Sequence, residues 1–235
     1  MPIPVFHAMT ASEIQGKQSF PGRIGWMSCL FSPYGAGLSN LPRTLPEGSL
    51  LILSDYTPLQ GHDPELITEQ LRRCVDAFGC RGLLLDLQRE YDTGLAYLCR
   101  QLTAALPCPV AAPPAYAREL DCGVFLPPAA PSDSLSGHLA PWQGREIWLE
   151  VSMDAERITL TEEGASSISL PRYHGFESGF QEETLHCHYR IATTEDSAVF
   201  TLWRTAGDLQ ALLEEAQQLG ISGAVGLYQE LGHTL

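Results

Sequence analysis

Residues Gly82 to Glu90, Gly-Leu-Leu-Leu-Asp-Leu-Gln-Arg-Glu, decide the predicted fold of this chain. The run of apolar residues before Asp86 is too short for a helix and lacks the alternation of a half-exposed strand. Such a run is typical of a strand buried on both faces, as in a parallel sheet. An acid at the end of the strand lies where α/β proteins place binding and catalytic groups.

The same pattern of an apolar run that ends in an acid recurs twice. It is found in Leu50-Leu51-Ile52-Leu53-Ser54-Asp55 and in Ile147-Trp148-Leu149-Glu150. Together with further apolar runs, these stretches predict the following strands: 24–31, 49–55, 81–87, 109–112, 122–126, 145–151 and 223–228. The runs 188–192 and 199–203 predict a hairpin or one bent strand, whereas 32–48, 127–144 and 170–183 are predicted as loops.

Capping signals place three helices between these strands. Asp63 and Pro64 are typical of the N-cap and the first position of a helix, and Gly79 is typical of its end. A second helix is predicted to begin near Asp92. The third begins with a capping box at Thr205 and ends at Gly220.

Strands that alternate with helices predict a right-handed parallel arrangement. About eight core strands in 235 residues predict a single domain over 1–235, a compact, irregular (β/α)8 TIM-like barrel with added β-hairpins. An open doubly wound parallel sheet is the alternative.

Composition restricts the class of partner. The formal charge of −14, with 28 acidic against 14 basic residues, disfavours nucleic acid and anionic membranes as partners. Seven cysteines without Cys-x-x-Cys spacing are typical of reduced thiols in a cytoplasmic protein. The N-terminus does not resemble a secretory signal, and no apolar run is long enough to span a membrane. Gly35-Ala36-Gly37 lacks the remaining features of a nucleotide-binding loop, so no cofactor is predicted.

Side chains at the carboxyl ends of the strands are predicted to meet at the barrel mouth. Carboxylates accept hydrogen bonds from sugar hydroxyls, and aromatic rings stack on sugar rings, so the mouth suits a small carbohydrate-like ligand. A pair of carboxylates could also hydrolyse a glycoside. The alternative is that each acid caps the following helix or solvates a loop. The candidate residues are Asp55, Asp86, Glu150 and Glu230, with Tyr34, Tyr56, Tyr116, Tyr228, His62 and Gln88.

The segment Gly82 to Gln88 resembles the strand motif D-G-x-D-x-D-x-E of chitinase-like family-18 glycoside hydrolases. In that family the last glutamate is the general acid, and the preceding aspartate orients the acetamido group of the substrate. The resemblance implies this second role for Asp86. It also puts Gln88 at the position of the acid, and an amide cannot protonate a leaving group. The resemblance therefore implies a sugar-binding relative without family-18 catalysis.

We therefore expect Asp86 to orient the ligand and Glu150 to be the remaining candidate for proton transfer, supported by Asp55 and Tyr228. A second hypothesis is a metal-dependent hydrolase that uses some of the residues Asp55, His62, Asp86 and Glu150. His186 and His188 could also share a metal if they face the same side of a strand. A third hypothesis is a non-catalytic interaction module that presents the hairpins around 150–170 and 186–204.

Overall fold

The computed structural model describes residues 2–15, 22–171 and 179–232. Eight parallel strands form its centre: β1 (Val5–Met9), β2 (Arg23–Phe31), β4 (Leu50–Ser54), β5 (Gly82–Asp86), β6 (Val110–Ala112), β7 (Gly123–Leu126), β8 (Ile147–Glu150) and β14 (Gly223–Leu227). Because β1 pairs with both β2 and β14, the sheet closes on itself. A short strand, β3 (Leu38–Ser39), adds to β2 in antiparallel orientation. The predicted irregular TIM-like barrel is confirmed, and the open doubly wound sheet is excluded.

The barrel interior is filled by side chains at alternate strand positions. Leu50 and Ile52 of β4 point inward, together with Leu84 of β5 and Trp148 of β8. Space for the indole comes from Gly223, where an added Cβ would lie 2.5 Å from the Trp148 ring. The residues between these positions face outward to the helices, so both faces of each strand are buried.

Helices cover the barrel unevenly: α1 (Ala11–Ile14), α2 (Pro64–Phe78), α3 (Thr93–Ala105), α4 (Pro114–Ala117), α5 (Leu135–Leu139), α6 (Ala206–Gln218) and α7 (Tyr228–Leu231). The capping predictions are confirmed for the long helices. The Asp63 side chain accepts from the Glu65 amide at 2.9 Å, and Gly79 ends α2 with a left-handed φ of 57°. Asp92 and Thr205 cap α3 and α6 in the same way.

A separate antiparallel sheet lies between β8 and α6. Its strands are β9 (Ala155–Thr161), β10 (Gly164–Leu170), β11 (Phe180–Glu182), β12 (Cys187–Thr193) and β13 (Ser197–Trp203), in the order β10-β9-β13-β12-β11. The predicted hairpins are therefore confirmed, and the segment 188–203 is a hairpin of this sheet.

Four predictions differ from the structure. The predicted loop 32–48 contains the short strand β3, which two residues of sequence do not signal and which forms by pairing with Leu30 and Phe31. The first strand is β1 rather than 24–31, because His7 interrupts its apolar run and hides the pattern. The predicted loop 127–144 contains α5, for which Ser134 is the N-cap. A 3-10 helix at Ala140–Trp142 follows it. The predicted loop 170–183 contains β11, and its residues 172–178 lie outside the described residues. In the part of the chain that the structure describes, no helix is long and apolar enough to cross a membrane.

Candidate active site at the barrel mouth

The strand-end acids Asp86 and Glu150 line one small cavity at the carboxyl end of the barrel. Leu84 and Trp148, two positions earlier on the same strands, point into the barrel. Because side chains alternate along a strand, Asp86 and Glu150 point toward the same axis. The cavity has a volume of about 50 Å³, and the rest of its wall is apolar or backbone: Ala8, Met27, Ile52, Phe125, Val225, Gly226 and Leu227.

Burial and neighbouring charges favour the protonated form of both acids. Burial, followed by the negative charges of Asp86, Glu230 and Asp154, raises the pKa of Glu150 to about 7. Burial also raises the pKa of Asp86, with a smaller contribution from Asp55, while a hydrogen bond from Gln88 acts in the opposite direction. At neutral pH the mouth therefore holds a carboxyl group that can give up or take a proton.

Asp55 does not line the mouth cavity; it points to the outer side of the barrel and holds the loop that follows β5. It is only 1% exposed. Its carboxylate accepts hydrogen bonds from the amides of Gln88 at 2.9 Å and Arg89 at 3.0 Å. The Gln88 side chain in turn donates to Asp86 Oδ1 at 2.9 Å. Asp55 thus positions Gln88, and Gln88 positions Asp86.

The structure places the predicted aromatic residues in three different environments. Tyr34 and Tyr56 are 97% and 81% exposed. Tyr116 is 2% exposed; its hydroxyl accepts from the Asp92 amide at 3.2 Å, and its ring stacks on Tyr91. Tyr228 packs edge-on against His7, with ring centroids 6.0 Å apart. None of these tyrosines belongs to the wall of the mouth cavity.

His62 and Glu230 bind backbone groups near the mouth. His62 Nε2 lies 3.0 Å from the carbonyl oxygen of Ser32, and its ring contacts Phe31. Glu230 Oε2 accepts from the Met153 amide at 2.9 Å. These contacts fix the segments that follow β2 and β8, and the negative charge of Glu230 also acts on Glu150.

His186 and His188 contact separate carboxylates of α6. His186 Nε2 lies 2.7 Å from Glu215, and His188 Nδ1 lies 2.8 Å from Asp208. Two helical turns, or about 10 Å, separate these carboxylates. The pairs join the antiparallel sheet to the barrel. Within residues 2–15, 22–171 and 179–232, no three His, Cys, Asp or Glu side chains group in a way that could hold a metal ion.

Sequence reasoning missed the apolar wall of the mouth. Met27 and Phe125 lie within strands, and an apolar residue in a buried strand carries no chemical signal in the sequence. The alternation along each strand could have identified Ile52 and Phe125, because it predicts which positions point inward. Met27 follows no such pattern, since the pairing register of β2 shifts between Trp26 and Cys29.

Comparison with known proteins shows that this chain resembles solved structures in its fold. No family model and no curated protein matches the sequence. A family-18 chitinase from Cycas revoluta, solved with allosamidin, has a TM-score of 0.59 and 12% identity, covering 95% of this chain and 94% of that one. The Bacillus cereus spore cortex-lytic enzyme SleL has a TM-score of 0.54 and 12% identity, covering 95% and 70%. The chain thus has the barrel fold of family-18 chitinases and SleL-like glycosylases.

Proposed function

We propose that the barrel mouth binds an N-acetylated saccharide and that Asp86 recognises its acetamido group. The observation that carries the proposal is the pairing of Asp86 and Glu150 in one otherwise apolar cavity at the carboxyl end of the barrel. The likeness in fold to chitinases supports the choice of ligand, and the Cycas revoluta enzyme has been solved in complex with (GlcNAc)3.

The dimensions of the cavity favour an acetyl group as the buried part of the ligand. About 50 Å³ accommodates a small substituent rather than a whole sugar ring. The acetyl methyl would contact the apolar wall formed by Met27, Ile52 and Phe125. The amide N–H would donate to the carboxylate of Asp86, while the sugar ring lies above the opening.

Gln88 favours binding without family-18 catalysis. Its carboxamide donates to Asp86 Oδ1, which orients the carboxylate, but it has no acidic proton for a leaving group. The protein would then hold the saccharide without cleaving the glycosidic bond.

Hydrolysis is the second candidate function, and one observation favours it. Glu150 has a pKa of about 7 and shares the cavity with Asp86. A carboxyl group with this pKa acts efficiently as a general acid at neutral pH. In this alternative Glu150 protonates the leaving group in place of the missing acid at position 88.

Binding is tested by isothermal titration of (GlcNAc)4 into wild type, Asp86→Asn and Asp196→Asn. The last variant removes one exposed acid in the turn between β12 and β13, so it is the matched control. We expect Asp86→Asn to weaken binding by about 10- to 100-fold, the loss of a hydrogen bond to a charged group, without a fall in melting temperature. Wild-type affinity in Asp86→Asn would contradict the proposal.

Hydrolysis is tested by the release of reducing ends from the same oligosaccharide. Product from wild type that disappears in Glu150→Gln, with binding retained, would assign proton transfer to Glu150. Binding with no product from wild type would support the binding-only function. In that case Gln88→Glu, which restores the acid of the resembled motif, is the variant in which to look for activity.

We also infer a cytoplasmic location from the thiols. All seven cysteines are free, and five of them are buried. Burial raises the pKa of Cys80 to about 12 and that of Cys187 to about 11, which keeps these thiols protonated and unreactive. Fractionation of the native cells, with immunodetection of the chain, tests this assignment.

A further inference from the structure

A second cavity, of about 280 Å³, lies between the segment after β7 and the beginning of the antiparallel sheet. One side is formed by the Pro128–Pro131 segment. The other side carries three hydroxyls and two carboxylates, those of Ser152, Ser167, Ser169, Asp154 and Glu156. This volume is near the lower end for small-molecule sites and matches one sugar unit better than the mouth does.

One wall of this cavity is formed by a face of the antiparallel sheet, on strands β9 and β10. Ser169 is directly opposite Glu156 in the register of β9 and β10, so Glu156, Ser167 and Ser169 share one face. Glu156 is only 7% exposed. Its two carboxylate oxygens accept from the Ser132 amide at 3.0 Å and from the Ser167 hydroxyl at 2.5 Å. These bonds fix the carboxylate and leave lone pairs for a ligand.

The carboxylate of Asp154 lies on the same side of the extended chain as that of Glu156 and also lines the cavity. It is half-buried, and its side chain makes no hydrogen bond or ion pair with any residue in the described ranges. Among the residues that the structure describes, no Lys, Arg or His lines this cavity. The neighbouring cation, Arg204, is buried and donates to the carbonyls of Ala129 and Ala130 at 2.7 and 3.0 Å. The cavity therefore presents two negative groups and several acceptors, and it lacks a donor with positive charge.

We propose that this cavity binds the protonated amine of a 2-amino-2-deoxy sugar unit, adjacent to the N-acetylated unit held at the mouth. The proposal rests on the proposed function, since the two units belong to one partly deacetylated saccharide. An ammonium group donates charge-assisted hydrogen bonds to Asp154 and Glu156, whereas an acetylated nitrogen is neutral. The sugar hydroxyls would bond to Ser152 and Ser169.

The two sites are near each other. Asp154 follows β8 closely, and its negative charge contributes to the raised pKa of Glu150 in the mouth. Glu150 lines the mouth and Ser152, two residues later, lines the second cavity, so the proposal places a single oligosaccharide over both. The protein would then select saccharides by their pattern of acetylation.

The test is a titration of wild type, Asp154→Asn and the matched control Asp196→Asn with two tetrasaccharides, (GlcNAc)4 and a half-deacetylated form. We expect wild type to prefer the half-deacetylated form by about tenfold, the effect of one charge-assisted bond. Asp154→Asn should lose most of this preference and keep its affinity for (GlcNAc)4. The preference should also fall as salt is added.

Methyl glucosaminide, followed by NMR shifts of the amides of 152–156, separates this proposal from the proposed function. If it shifts these amides while (GlcNAc)4 does not bind, the amine site stands and the acetamido site is wrong. If (GlcNAc)4 binds and either wild type shows no preference or Asp154→Asn retains it, the amine site is wrong. Absence of binding by all three sugars overturns both.

Discussion

Two acids that follow similar apolar strands have opposite environments in this barrel. Asp55, after β4, is almost fully buried and accepts from two backbone amides of the next loop. Glu150, at the end of β8, makes no side-chain hydrogen bond with the residues that the structure describes, and its pKa is raised to about 7. The difference arises because the loop after β5 turns its N–H groups toward Asp55, whereas Glu150 faces a cavity. An acid at a strand end thus has a structural role where N–H groups donate to it, and it can exchange a proton near neutral pH where they do not.

The largest effect on stability is expected at Asp55, because two backbone N–H groups donate to its carboxylate. Asp55→Ala leaves the amides of Gln88 and Arg89 without the buried carboxylate that accepts from them, at a cost of about 1–3 kcal/mol each. We expect the free energy of unfolding to fall by about 4 kcal/mol, measured by urea denaturation at pH 7. The control is Asp63→Ala, which removes an exposed helix cap and should cost about 1 kcal/mol. Equal losses in the two variants would contradict the structural role of Asp55.

Replacement of Glu150 is expected to raise the free energy of unfolding rather than lower it. Because its pKa is raised from 4.5 to about 7, the folded state binds a proton more tightly than the unfolded state does. Ionisation therefore removes stability as the pH rises from about 4.5 to 7, and the full penalty is present above 7. Glu150→Gln should raise the free energy of unfolding at pH 8 by about 2–3 kcal/mol, and by almost nothing at pH 4.

Thermal or urea unfolding of Glu150→Gln and wild type at both pH values checks this prediction. Glu163→Gln, an exposed substitution of the same type in the turn between β9 and β10, is the control and should have little effect at either pH. A gain in stability that is the same at pH 4 and pH 8 would exclude ionisation as its cause.

The smallest effect is expected at the contact between Gln88 and Asp86. Gln88→Ala removes the hydrogen bond that favours the ionised form of Asp86, so the pKa of Asp86 should rise. The stability should change by less than about 1 kcal/mol, because Gln88 is exposed. An NMR titration of the Asp86 carboxyl carbon measures the shift. An unchanged or lower pKa would show that Gln88 does not position Asp86 in solution.

Most of the barrel could be predicted because its signals are local. Asp63, Pro64 and Gly79 determine the ends of α2 through their own backbone and capping preferences. The apolar runs before Asp55, Asp86 and Glu150 identify buried strands. Strand β1 carries weaker signals: its apolar run is interrupted by His7, and it is stabilised by pairing with the distant β14.

The site could be predicted in its location but not in its detail. Strand ends indicate that Asp86 and Glu150 approach one another, because parallel strands finish at the same edge. Which backbone amides reach Asp55 depends on the loop of a neighbouring strand, and the sequence pattern around Asp55 does not contain that information. Tyr116 illustrates the same limit, since the tertiary fold buries its ring against Tyr91.

The closure of the barrel through β1 has a consequence for synthesis. Val5 and Phe6 pair with Ala224 and Val225, so β1 receives one of its two partners from a strand that is synthesised more than 200 residues later. Until then the nascent barrel is an open sheet with two unpaired edges, and Phe6 lacks its contact with Trp148. The synthesis and docking of β14, rather than the formation of any local element, is therefore the step that removes the two open edges of the central parallel sheet, at which edge-to-edge aggregation could begin.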